Sequence, residues 1–196
     1  AQKHFAHEIS GFIEDEWTIN RRLKGNGGIH YSSFLVGESY YSSIQPRLGF
    51  RYLINDKSSF KFGYAEMAQF LHLLTNSGIG LPTDLWVPAT EKIKPQFSKQ
   101  MAVGLAKTFL NKFEASLEGY YKTMENLIEY KDGASFFDSQ TDWQDKVFMG
   151  RGWSYGGELL VEKKVGKTTG WIGYTLSWTK RQFDSINFGD SYPYRY

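Results

Sequence analysis

From Phe113 to Met124 the chain changes character at every residue. Phe113, Ala115, Leu117, Gly119 and Tyr121 are apolar or small, and Glu114, Ser116, Glu118 and Lys122 between them are polar or charged. A period of two turns successive side chains to opposite faces, so this stretch is a strand with one apolar and one wet side. No apolar stripe at helical spacing can be drawn through it. The same alternation recurs along most of the chain and predicts an all-β, antiparallel up-and-down sheet of about eight strands.

The first strand is expected from about His7 to Ile19, and a reversal at Asn20 and Arg21 leads to a second from about Arg22 to Leu35. A connection around Gly37 to Ser43 follows. Ile44, Pro46, Leu48, Phe50, Tyr52 and Ile54 then share one face of a third strand, with Gln45, Arg47, Gly49 and Arg51 on the other. Asn55-Asp56-Lys57-Ser58 has the composition of a turn. A fourth strand carries Phe60, Phe62, Tyr64 and Phe70, and Leu71 to Phe97 lacks strand periodicity and reads as a large loop. Strands resume at Ser98 to Phe109 and, past Leu110-Asn111-Lys112, at Phe113 to about Tyr130. A second long loop, Lys131 to Gly150, precedes strands around Trp153 to Lys164 and Ile172 to Thr179, and after Arg181 the chain is loop-like.

Alternation alone does not say which face meets hydrocarbon, since a soluble lipocalin-like barrel alternates equally well. Three features favour a membrane barrel. Short turns near residues 20, 56, 111 and 167 fall at one end of the expected sheet, and longer connections fall at the other. The polar face carries small residues (Gly49, Gly63, Ala102, Gly104, Ala106, Ser177) where a solvated sheet carries longer ones. Aromatic side chains (Trp17, Tyr52, Phe109, Tyr130, Trp153, Trp178) gather toward strand ends, where interfacial girdles lie. Turning Arg47 or Arg51 to lipid costs about 2 to 4 kcal/mol each near the midplane, so they are expected to face the lumen. Glu114, Glu118, Lys122, Glu158 and Arg181 are expected to join them there.

With 196 residues, no Cys and a net charge of +2, the chain has no disulfides or thiolate zinc sites and no basic stripe for nucleic acid. No apolar run reaches the roughly 18 residues of a spanning helix. The opening Ala1-Gln2-Lys3, without Met or an apolar signal core, reads as a mature or cut product. Of the four histidines, only His4 and His7 stand close, and their spacing in a strand puts them on opposite faces, so no metal or cofactor site is expected. Glu114, Glu118 and Glu158 are expected to pair with Arg47, Arg51, Lys122 and Arg181 across strands rather than act as acid and base. No nucleophile or phosphate-binding motif is present, and no catalytic residue is assigned.

The runs Leu81-Pro82-Thr83-Asp84-Leu85-Trp86-Val87-Pro88, Ile93-Lys94-Pro95-Gln96, Gly119-Tyr120-Tyr121-Lys122 and Glu129 to Ala134 resemble the barrel of TonB-dependent outer-membrane receptors of Bacteroidota. So do Gly150 to Glu158 and Gly170-Trp171-Ile172-Gly173-Tyr174-Thr175, and the likeness is to the kind with a carboxypeptidase-like N-terminal extension. The resemblance implies a Gram-negative outer-membrane transporter whose barrel of about 22 strands is filled by a plug. It also implies substrate capture at the outer face, energy delivered through TonB, and a place for a surface lipoprotein partner. The chain would supply a C-terminal-side portion of such a barrel, without the plug. In that setting Gln69, His72, Asn76, Asp84 and Trp86 in the first long loop, with Phe136, Phe137 and Trp143 in the second, are candidate contacts for a glycan, peptide or metal chelate. Two alternatives stand beside this reading. One is a self-standing eight-stranded outer-membrane barrel serving as anchor, adhesin or small membrane enzyme; the other is a soluble ligand-binding barrel.

Overall fold

The computed structural model describes residues 5–75, 84–131 and 142–194. Among the described residues eleven strands form: β1 (Ala6–Thr18), β2 (Leu23–Val36), β3 (Ser39–Asn55), β4 (Ser58–Gln69), β5 (Leu71–Thr75), β6 (Asp84–Pro88), β7 (Gln96–Phe109), β8 (Phe113–Tyr130), β9 (Val147–Lys163), β10 (Gly170–Gln182) and β11 (Tyr192–Pro193). Nine of them make one sheet in the order β1-β2-β3-β4-β7-β8-β9-β10-β11, and β5 and β6 pair separately as a hairpin. Every pairing is antiparallel, so the main sheet runs up and down in chain order.

Three expectations change. The connection placed at Gly37 to Ser43 is a two-residue turn, because Val36 pairs with Ser39 and Gly37 takes a positive φ of 56° at no steric cost. The segment from Leu71 to Phe97 is not simply a loop: it contains the β5–β6 hairpin and the start of β7. The stretch after Arg181 is not all loop: β11 joins the edge of β10, pairing at Lys180 and Arg181.

Side chains at one end are held by local chemistry. Asn20 Oδ1 accepts from the backbone N–H groups of Arg22 and Leu23 (2.8 and 2.9 Å), and Asn55 Oδ1 accepts from that of Lys57 (2.9 Å). Both are Asx turns, which bring the next strand straight back. Leu110 and Asn111 take positive φ of 51° and 53° to make the β7–β8 reversal.

Register sorts the two faces. Paired residues share a face, so Leu48, Tyr64, Met101, Tyr121, Tyr155 and Trp178 form one row across six strands, with Tyr52, Phe60, Leu105, Leu117, Leu159 and Tyr174 in a second row four residues along each strand. These side chains are not a core. Leu105 is 51% exposed, Tyr174 60% and Ile172 78%. A soluble barrel would bury this face, whereas here it is uncovered.

The apolar band also leans. Ile13, Ile29 and Pro46 lie in one row on β1 to β3, and its continuation one step past the Arg47–Ala65 pair is Glu66, Lys99 and Thr123 on β4, β7 and β8. A row at constant depth cannot be apolar on one side and charged on the other. The strands therefore cross the band at a slant, as in a tilted barrel wall.

Buried side chains lie instead at the end with the long connections. There β3 and β4 part above Arg47 and Ala65. Gln45 fills the gap, donating to Ser32 Oγ (2.7 Å) and accepting from the Ala68 N–H (3.1 Å). Phe34, Val36, Phe70 and Ala89 make one buried cluster, in which Phe34 and Phe70 stack at 5.1 Å. Leu74, Val87, Ile93, Ile128 and Val147 make a second.

Candidate functional site

The hairpin β5–β6 alternates like the main sheet, on a smaller scale. Leu74 and Val87 are buried against the ends of β8 and β9, and His72, on the same face, is buried beside Gln96. Leu71, Leu73 and Trp86 point the other way, and Trp86, paired with Leu73, is 59% exposed. The result is a small apolar platform at the outer tip.

Its foundation is polar and well tied. Tyr41 donates its hydroxyl to the Thr90 carbonyl (2.6 Å), and Thr90 Oγ1 donates to Gln144 Oε1 (2.5 Å). Lys92 pairs with Asp145 at 2.9 Å, which holds the Asp145 carboxyl below its ordinary pKa and Lys92 above its own. Asn126, in the β8 bulge with φ of 57°, donates to the Pro95 carbonyl (2.8 Å). The segment after β6 is thus fastened to β3, to the end of β8 and to the short 3-10 helix Trp143–Lys146.

His72 sits beneath the platform rather than on it. The Gln96 amide nitrogen lies 3.0 Å from Nδ1, a contact whose roles depend on the ring tautomer. Nε2 makes no hydrogen bond. Burial pushes the His72 pKa down to about 4, against a weaker upward pull from the Lys94 backbone carbonyl. This histidine is neutral and structural in this arrangement.

The other loop residues divide. Gln69 is exposed at the base of the hairpin and donates to the Leu71 carbonyl (2.6 Å). Trp143 is partly buried against the second cluster and opens the 3-10 helix, which Asp142 caps. Asp84 is placed by its backbone alone, opposite Thr75. Asn76, Phe136 and Phe137 lie outside the described residues. Leu71 and Leu73 were missed as companions of Trp86; their alternation with His72 and Leu74 was the available signal.

Register brings the seven charged residues Arg47, Arg51, Glu114, Glu118, Lys122, Glu158 and Arg181 to the face opposite the apolar band. The cross-strand pairs expected among them do not form. Arg51 stands between Lys24 and Lys61, Glu118 faces Glu158, and Glu114 faces Glu162, so register opposes like charges. Glu114 instead binds Lys164 (2.6 Å), which also reaches Glu162 (3.5 Å). Arg181 binds Glu129 (2.8 Å) and lies 3.4 Å over the Tyr194 ring. Glu118 leans across Gly104, its Cγ 3.3 Å from where a Cβ would stand. Along this row the face runs from three cations on β2 to β4, across a glycine, to two carboxylates on β8 and β9. Like charges opposed in this way cost stability unless something between them supplies counter-charge.

Several comparisons bear on this geometry. The solved structure of the FrpB iron transporter from Neisseria meningitidis matches with a TM-score of 0.64 at 15% identity, over 91% of this chain and 26% of that one. The alcaligin outer-membrane receptor FauA from Bordetella pertussis matches at 0.63 and 16%, over 98% and 32%. The copper transporter OprC matches at 0.59 and 16%, over 92% and 29%. The chain therefore spans about a third or less of the length of these structures. A search of the curated proteins finds no match. The family described as "TonB dependent receptor-like, beta-barrel" matches residues 2–196. An antiparallel wall with an uncovered apolar face, a charged opposite face and a built-up loop end is the architecture of that family, and this chain belongs to it, as part of a Gram-negative outer-membrane barrel.

Proposed function

We propose that the chain is a stretch of wall in an outer-membrane receptor that captures a nutrient at its extracellular loops and imports it with energy relayed by TonB through a plug domain. The observation that carries this reading is the division of the sheet. One face exposes Leu105, Ile172 and Tyr174 to lipid, while the other gathers Arg47, Arg51, Glu118, Glu158 and Arg181 around an interior. An interior with opposed like charges fits a lumen filled by a polar domain better than one filled by water. At the outer end, Trp86 with Leu71 and Leu73 offers an aromatic and aliphatic platform on a rigid base, which suits a glycan, a peptide or a metal chelate. The Leu81 to Pro88 and Gly150 to Glu158 runs support placing the receptor among the Bacteroidota type with a carboxypeptidase-like extension, where a surface lipoprotein is a natural partner.

The test uses the full-length receptor in cells with and without TonB, offered labelled ferric siderophores, copper, oligosaccharides and short peptides. Accumulation of one of these that needs TonB, and that falls about tenfold or more when Leu73 and Trp86 are both replaced by Ala, supports the reading. Accumulation that ignores TonB, or no accumulation of any class, overturns it.

A further inference from the structure

On the lipid-facing side, the upper limit of the apolar band on β9 and β10 is marked by Tyr155 and Trp178, whose rings stack at 5.5 Å. Such aromatic pairs sit at the level of the lipid headgroups. Two residues further along β10, on the same face, comes Lys180, opposite Trp153. Arg151 follows two residues beyond Trp153 on β9. At about 3.3 Å per residue, Lys180 stands ~7 Å and Arg151 ~13 Å along the strands from the aromatic pair. Allowing for the slant of the strands, both lie within the headgroup layer of the outer leaflet.

Among the described residues, neither cation has an ion-pair partner. Lys180 takes part in no ion pair, and Arg151 uses only Nε, which donates to Gln182 Oε1 (3.0 Å). Both terminal nitrogens of Arg151 are left to donate to an external partner. Glu125, which follows the Met124–Gly152 pair at the β8 bulge, pairs with neither cation, and Glu66, in the row of Lys180 but four strands away, is engaged by Lys99 (3.8 Å) and by the Tyr64 hydroxyl (2.5 Å). An arginine with two free amino groups beside a lysine, edged by Trp153, Tyr155 and Trp178, presents charge-assisted donors above an acyl-chain surface.

We propose that Lys180 and Arg151 form a docking point for the phosphate of a phosphorylated glycolipid of the outer leaflet, of the lipid A class, with its acyl chains against Trp178, Tyr155 and Leu176. The site concerns lateral anchoring in the membrane and is separate from nutrient capture at Trp86.

The experiment is native mass spectrometry of the full-length receptor, released from detergent micelles with added bis-phosphorylated lipid A or its enzymatically dephosphorylated form. The wild type is expected to retain the phosphorylated lipid and to bind the dephosphorylated form at least tenfold less. Replacing both residues (Lys180→Glu with Arg151→Glu) is expected to lower retention tenfold or more. Lys107→Glu, on the same face at the opposite end of the band, is expected to leave it unchanged. Heat-modifiable migration on gels checks that each variant is folded. Equal retention of both lipids, an unaltered double variant, or a loss as large with Lys107→Glu each overturns the proposal.

Discussion

His72 offers a quantitative handle on the loop end. Its ring is neutral and completely buried, with a pKa of about 4 in the folded hairpin against 6.5 when exposed. Opening the hairpin releases the ring to water, where it takes up a proton at pH values at which the closed form does not. Because the folded pKa is depressed and the group is a base, the open state binds more protons between these two values. Closure is therefore fully stable above about pH 6.5 and weakens as pH falls toward 4. The gap between these two values corresponds to about 3 kcal/mol over the whole window, and to a roughly 60-fold rise in the opening constant between pH 7 and 4.5. Hydrogen exchange of peptides covering Leu71–Thr75 and Asp84–Pro88, corrected for the intrinsic pH dependence of exchange, reads this directly. His72→Leu removes the titrating group and is expected to flatten the profile. The nearby Lys92–Asp145 pair keeps its charges until the carboxyl titrates, below the ordinary carboxylate range, and so does not mimic the effect. A wild-type hairpin whose protection is constant from pH 7 to 4.5, or a His72→Leu protein that still loses protection, refutes the reasoning.

Two further perturbations probe the packing. A Cβ at Gly150 would collide with the Gln182 carbonyl and the Phe183 ring. Gly150→Ala is therefore expected to cost about 2 kcal/mol or more, seen as a lower urea midpoint for unfolding of the full receptor. Arg181 and Glu129 form a pair that is partly shielded and braced by Tyr194, so a double-mutant cycle with Arg181→Gln and Glu129→Gln is expected to give a coupling of about 1 kcal/mol; a coupling near zero would show the contact to be incidental.

The long strands were legible because alternation is a local property. Ile44 to Ile54 and Phe113 to Tyr121 declare their faces without help from the rest of the chain. The turn at Gly37 was not, since Ser39 to Ser43 has loop-like composition and becomes strand only because Leu35 and Phe34 lie opposite Tyr40 and Tyr41. The β5–β6 hairpin escaped for a related reason: five-residue strands give too few alternations to stand out among nearby prolines. Among the charges, the side of the wall was readable from parity alone. Their partners were not, because Glu118 meets Glu158 rather than Arg51 only once the register of four strands is set. His72 looked like a surface ligand contact because its residue type suits one. That it faces inward depends on how the hairpin leans on Ile128 and Val147, which no local pattern encodes.

Ala102 and Val103 are neighbours in the chain and opposites in the wall: Ala102 shares its row with Gly63 and Tyr120, Val103 with Phe62 and Gly119. A nitroxide attached to a single cysteine at each position, in the full receptor reconstituted in lipid vesicles, reports which side meets hydrocarbon. The label at residue 103 is predicted to be relaxed strongly by oxygen and hardly at all by a water-soluble nickel chelate, while the label at residue 102 lacks this lipid signature. A lipid signature at 102 with nickel access at 103 would contradict the placement of the wall in the membrane.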